Sequence, residues 1–178
     1  MKHTFLILLA ILPGILFCQK ESKPGTVITQ FGKTYEVESP DFKTNTASEL
    51  KAVFDVGRSF GDSTKINPLI NTAARYLNMH ADAGVSLENL KVALVIHGSA
   101  ANDVLNNKNY KTKFGLDNPN NLLISALTEK GVQIILCGQT AAYRNISKSD
   151  VHPNIKFALS AMTALVQLQN ENYKLINF

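Results

Sequence analysis

The sequence predicts an α/β fold: a three-layer α/β/α domain on a mainly parallel sheet, preceded by an N-terminal arm or hairpin. Three observations carry this. Near-continuous apolar runs, Leu90 to Ile96 above all, suit strands covered on both faces. Segments with apolar residues at helical spacing alternate with those runs. Such alternation is the pattern of parallel strands joined by right-handed crossovers. At 178 residues, 45% hydrophobic and 18% charged, the chain has the material for one cored domain.

Residues 1–19 read as an export signal. Lys2 and His3 precede an unbroken apolar run from Phe5 to Phe17. Its 13 residues fit the apolar core of a signal and fall short of the roughly 20 that span a bilayer. Pro13-Gly14 would also break a membrane helix. The rival, a buried N-terminal helix, would show polar positions at helical spacing, and none occur. Cleavage is expected near Gln19, which places the mature protein outside the cytoplasm, in the bacterial periplasm. Anchoring through a lipid on Cys18 is the alternative, although Leu16 and Phe17 are bulky where a lipoprotein signal takes small residues.

Removing residues 1–19 takes away only Lys2 among charged side chains, so the net charge falls from +4 to +3. The basic residues are scattered, with no clustered stripe or interleaved aromatics, so no nucleic-acid partner is expected. Two cysteines are present, and loss or lipidation of Cys18 leaves Cys137 as the sole free thiol. A lone thiol in an oxidising compartment is a liability unless it is buried, capped, paired between chains or used.

Taken in order, residues 20–48 are a polar arm. Two short strands, Thr26 to Phe31 and Thr34 to Val37, are expected there about Gly32-Lys33. The domain proper covers residues 49–178. Its first strand is Leu50 to Val56. Asn67 then caps a helix that Pro68 opens; its buried face is Leu69, Ile70, Ala73, Ala74, Leu77 and Ala81, and Gly84 stops it. Leu90 to Ile96 is the second strand. Residues 99–117 form a long polar connection, a length often found in functional loops. Asn118-Pro119 opens another helix, with a face of Leu122, Leu123, Ala126 and Leu127, ended by Gly131. Val132 to Leu136 is the third strand, closed by Cys137-Gly138, and Thr140 to Arg144 begin a helical turn. A helix from Ile155 to Gln169 is apolar on nearly every side, as expected of a buried helix, in part against another subunit. Tyr173 to Ile176 is a final strand.

Parallel sheets bind ligands beyond the carboxyl ends of their strands. That edge gathers Asp55, His97-Gly98 and Cys137-Gly138-Gln139-Thr140. The thiol lies just before a helix start, where free N–H groups and the helix dipole favour an anion. Cys137 is therefore the candidate reactive residue, with His97 as its proton acceptor or ion-pair partner. Gly98, Gly138, Gln139, Thr140 and Asp55 are the candidate substrate contacts. The competing readings are ordinary: Cys137 as a small core residue, His97 as a strand-end cap, Asp55 as a turn former. Tyr143-Arg144 is either an anion contact near the thiol or a solvated helix face. His80 is expected at the opposite edge of the sheet, and His152 at the surface or in an interface. No metal spacing, phosphate loop or Gly-x-Ser-x-Gly elbow occurs, and no cofactor is expected.

Several segments resemble the DsrE/DsrF-like family: Phe54-Asp55-Val56, Ala74 to His80, Val95 to Gly98, Leu136 to Thr140, and Ala158 to Thr163 with Leu168-Gln169. The likeness runs in order over about residues 48–178. It implies a three-layer α/β/α fold and assembly as trimers or hexamers. In the sulfur-relay members of that family a cysteine carries sulfur as a persulfide between partner proteins. Carried over, that cysteine is Cys137, and a sulfur donor or acceptor protein is implied.

The leading expectation is thus an exported sulfur-transfer or thiol-redox protein acting through Cys137. The alternative is a non-catalytic, oligomeric binding module built on the apolar last helix. A hydrolase using Cys137 and His97 would need an oxyanion site and an orienting group that the sequence does not display.

Overall fold

The structure, a computed structural model, describes residues 20–177; the expected signal segment and Cys18 lie outside the described residues. Five strands form one sheet: β1 (Leu50–Val56), β2 (Leu90–Ile96), β3 (Gln133–Cys137), β4 (Lys156–Ala158) and β5 (Lys174–Ile176). Their order is β4-β3-β2-β1-β5, and every neighbouring pair is parallel. The pairing of β1 with β2 runs the length of both strands, from Leu50 beside Leu90 to Val56 beside Ile96. Burial explains their composition. Within these two strands Val53, Val56 and the stretch Ala93 to Ile96 are wholly buried. Each buried Val, Leu or Ile contributes about 1.5–3 kcal/mol.

Period-two alternation sends side chains to two unequal layers. Ala52, Phe54, Val56, Val92, Leu94, Ile96, Ile134 and Leu136 face the larger core. That core is closed by α1 (Pro68–Asp82) and α3 (Asn121–Glu129), with Tyr110 of α2 (Asn107–Phe114) and Ala141 of α4 (Gly138–Tyr143) also in it. Val53, Ala93 and Val95 face the other way, onto Ala164 and Leu168 of α5 (Ala161–Asn170) and onto Tyr173. The result is the expected three-layer α/β/α arrangement, with α5, among the described residues, as the one helix in the smaller core.

Caps account for the helix starts. Asn67 accepts from the Leu69 N–H and Pro68 follows it, as expected. Ser160 accepts from the Thr163 N–H and starts α5.

The elements depart from expectation in five places. The two arm strands do not form; the arm has a single antiparallel bridge, Lys23 to Thr34. Its backbone is gripped instead by buried Asn78 of α1. The Asn78 Oδ1 accepts from the Val27 and Ile28 N–H groups, and its Nδ2 donates to the carbonyls of Ile28, Phe31 and Gly32. Residues 99–117 are structured: 3-10 turns over Gly98–Val104, then α2, capped by Asn106. Only Tyr110 of α2 is buried, so its hydrophobic pattern is nearly silent. Helix α3 starts at Asn121 and buries Leu123, Ile124 and Leu127, leaving Leu122 exposed. Asn118 is not its cap; it is buried and donates to the carbonyls of Asp103 and Leu105. The expected helix from Ile155 to Gln169 divides into β4 and α5. Finally, β3 is displaced by one residue, so that Cys137 is its last member.

Candidate functional site

Sheet topology selects one crevice. The helix after β3, α4, packs on the larger core, whereas the helix after β4, α5, packs on the smaller one. The chain therefore leaves β3 and β4 towards opposite faces, and a ligand crevice opens between such strands. Cys137 sits at that point. It pairs with Ala158 across the two strands.

The Cys137 sulfur is held by donors from both helices. It accepts from the Thr140 N–H at 3.4 Å. The Thr140 hydroxyl and the Ala161 and Gln139 N–H groups also favour its anion. Burial pushes the thiol up, but these four groups outweigh it and hold the thiol below its ordinary range. Cys137 is 5% exposed, so the sulfur is sheltered from solvent at the end of β3. Gly138 is needed for this closeness: a Cβ there would lie 2.5 Å from the Ala158 carbonyl oxygen.

Asp55, His97 and Cys137 share one sheet face. Each is two residues beyond a side chain of the α5 face: Val53, Val95 and Ile135 respectively. The His97 Nε2 lies 2.8 Å from Asp55 Oδ1. Its ring lies over Gly57, where a Cβ would come within 2.7 Å of the imidazole. Asp55, expected as a substrate contact or a turn former, instead pairs with the His97 ring. The imidazole makes no hydrogen bond to Cys137; Thr140 joins the two strand ends instead. Its hydroxyl accepts from the Gly98 N–H at 3.3 Å, while its backbone N–H donates to the Cys137 sulfur. Gly98 has φ +55, and a Cβ on it would lie 2.3 Å from the Gly57 carbonyl oxygen, so the position requires glycine.

The remaining candidates fall as follows. Gln139 is exposed, its side-chain amide 3.5 Å from the Leu159 carbonyl. Tyr143 is exposed, and the Arg144 Nε is buried without a hydrogen-bond partner. His80 stacks on Tyr76 late in α1. His152, expected at the surface or in an interface, is buried within the chain. The Ser125 hydroxyl donates to the Asn121 carbonyl, so it accepts from His152 Nε2–H at 2.9 Å, while His152 Nδ1 accepts from the Asn154 N–H. Burial lowers the pKa of His152, and the neutral ring serves as a structural link. Sequence reasoning missed the Ala161 N–H, because β4 was hidden inside an apparent helix. Ser160 followed by Thr163 was the available signal of a helix start.

The model of the DsrE/DsrF-like family matches residues 51–178. The chain belongs to this family. The match covers the sheet, its flanking helices and the Cys137 crevice, and begins after the arm. Two solved structures of low sequence identity share the DsrE-like fold. One is MTH1491 from Methanobacterium thermoautotrophicum, titled a protein of unknown function: 20% identity, 72% of this chain and 99% of that chain covered, TM-score 0.55. The other is the ychN protein from E. coli: 19% identity, the same coverage of 72% and 99%, TM-score 0.53. No curated protein matches the chain.

Proposed function

We propose that this DsrE-like protein is an exported sulfur carrier that holds sulfur as a persulfide on Cys137. The observation that carries the reading is the sulfur's seat at a helix start, where the Thr140 N–H donates to it and the thiol is held below its ordinary range. A thiolate is favoured there by the same N–H groups and helix dipoles that favour other anions. In loading, the Cys137 thiolate attacks the outer sulfur of a donor persulfide. The new Cys137 S–S bond forms as the donor S–S bond breaks, and the donor leaves as a thiolate. In unloading, an acceptor thiolate attacks the outer sulfur and Cys137 leaves as a thiolate. Neither step needs an external oxidant or reductant. His97, oriented by Asp55, takes the proton of an incoming thiol at the same edge. Gly98, Gly138, Gln139 and Thr140 line the approach.

The expected result is one added sulfur atom on Cys137 when the mature protein is treated with a persulfide donor and analysed by mass spectrometry. A native thiol that takes neither sulfur nor an alkylating reagent would overturn the reading.

A second observation favours self-association. Leu159, Met162 and Val166 are 73%, 75% and 56% exposed and lie in one stripe at spacings of three and four. We propose that this stripe on and beside α5 is the contact between subunits, in a trimer or hexamer. The non-catalytic binding module remains the alternative if assembly alone is its role.

A further inference from the structure

A second cavity at the same edge of the sheet, beyond the end of β1, has no part in the thiol chemistry. It has a volume of about 280 Å³, at the small end of ligand pockets, which span roughly 300–1,000 Å³. Phe60, Ile66 and Pro68 form its apolar wall. Asp62 and Lys65, at its rim, pair with each other at 3.2 Å.

Its distinctive member is Asp103, which lines the cavity and is 7% exposed. Both hydrogen bonds of its carboxylate fall on one oxygen: Oδ2 accepts from Asn67 Nδ2 at 2.6 Å and from the Ser59 hydroxyl at 2.7 Å, a hydroxyl it shares with the Ser99 carbonyl at 2.9 Å. Among the described residues no donor reaches Oδ1, and no ion pair includes Asp103. Burial raises the Asp103 carboxyl, opposed by the Asn67 and Ser59 hydrogen bonds. A buried carboxylate without a cation is costly, and a cationic donor offsets that cost. An anionic ligand would meet Asp103 and Asp62 together. Pro68, the first residue of α1, has no N–H to offer an anion.

We propose that this cavity binds a small primary amine with a compact apolar body, its ammonium on Asp103 Oδ1 and its body against Phe60, Ile66 and Pro68. The site is independent of Cys137.

The test titrates benzylamine, and its uncharged counterpart benzyl alcohol, into the full mature protein while amide resonances are followed by NMR. Benzylamine is expected to shift the Ile66, Asn67 and Asp103 amides saturably. Benzyl alcohol should bind roughly tenfold or more weakly, since it lacks the charge-assisted hydrogen bond. Asp103→Asn leaves an amide oxygen to accept from Ser59 and Asn67 and turns a donor into the cavity, so benzylamine binding should be lost. Phe60 is 42% exposed, so Phe60→Ala tests the apolar wall with little risk to folding. It should weaken benzylamine several-fold and keep the preference over benzyl alcohol. No saturable shift at these amides, equal binding of the two compounds, or undiminished binding in Asp103→Asn would each overturn the proposal.

Discussion

Thr140 bears on two strand ends: its hydroxyl accepts from Gly98 and also helps hold the Cys137 thiol below its ordinary range. Thr140→Val keeps the shape and the backbone donor but removes both hydroxyl contacts. Each such hydrogen bond is worth about 0.5–1.5 kcal/mol, so alkylation of Cys137 at neutral pH should slow by roughly 2–10-fold. The whole pH–rate curve should move to higher pH, because the thiolate loses a donor. Thr140→Ser should restore it. A Thr140→Val curve that overlays wild type would remove Thr140 from the site. His152 offers a separate pH test. Its pKa is lowered by burial, so the unfolded chain binds the proton more tightly. The stability it confers is present above about pH 6.5, the unfolded value, and is lost as pH falls through the folded value. The slope is at most about 1.4 kcal/mol per pH unit. Urea midpoints at pH 8 and pH 5.5 should therefore differ more in wild type than in His152→Asn.

At the scale of elements, the arm is held by α1, through Asn71 and Asp82 and above all through Asn78. Asn78 makes five hydrogen bonds to the backbone of Val27 to Gly32 from within α1. Asn78→Ala would leave those groups to find water, at a cost of about 2–3 kcal/mol. Trypsin should then cut first at Lys33, before the domain is attacked; equal resistance to wild type would count against this anchoring role. The arm also marks where sequence reasoning ran out. Strands β1 and β2 were legible to the residue, because buried parallel strands are apolar throughout and stop at Asp55–Gly57 and His97-Gly98. Helix α1 was legible because Asn67-Pro68 is a strong start. Helix α2 was not, since a polar surface helix with one buried tyrosine has no apolar period to read. Strand β4 has only three residues and runs straight into an apolar helix, so the joined run looked like one helix. The Cys137 edge was legible from strand ends alone. The second helix contributing to it was not, because that depended on β4.

Across the whole molecule, the two sheet faces are unequally covered. Helix α5 packs on β1, β2 and β3 and carries exposed Met162 and Val166, with exposed Leu159 just before its start. If copies meet there, a charge placed in the stripe must separate them while leaving each fold intact. Met162→Glu with Val166→Glu should reduce the mass measured by analytical ultracentrifugation to that of one chain, with an unchanged circular dichroism spectrum. Retention of the wild-type mass would direct the interface elsewhere.

The sheet order has a consequence in time. Strand β5 pairs with β1, joining Ala52 to Lys174 and Phe54 to Ile176. The first strand to leave the ribosome therefore waits for the last. Contacts so distant along the chain slow folding, and until they form β1 keeps one bare edge.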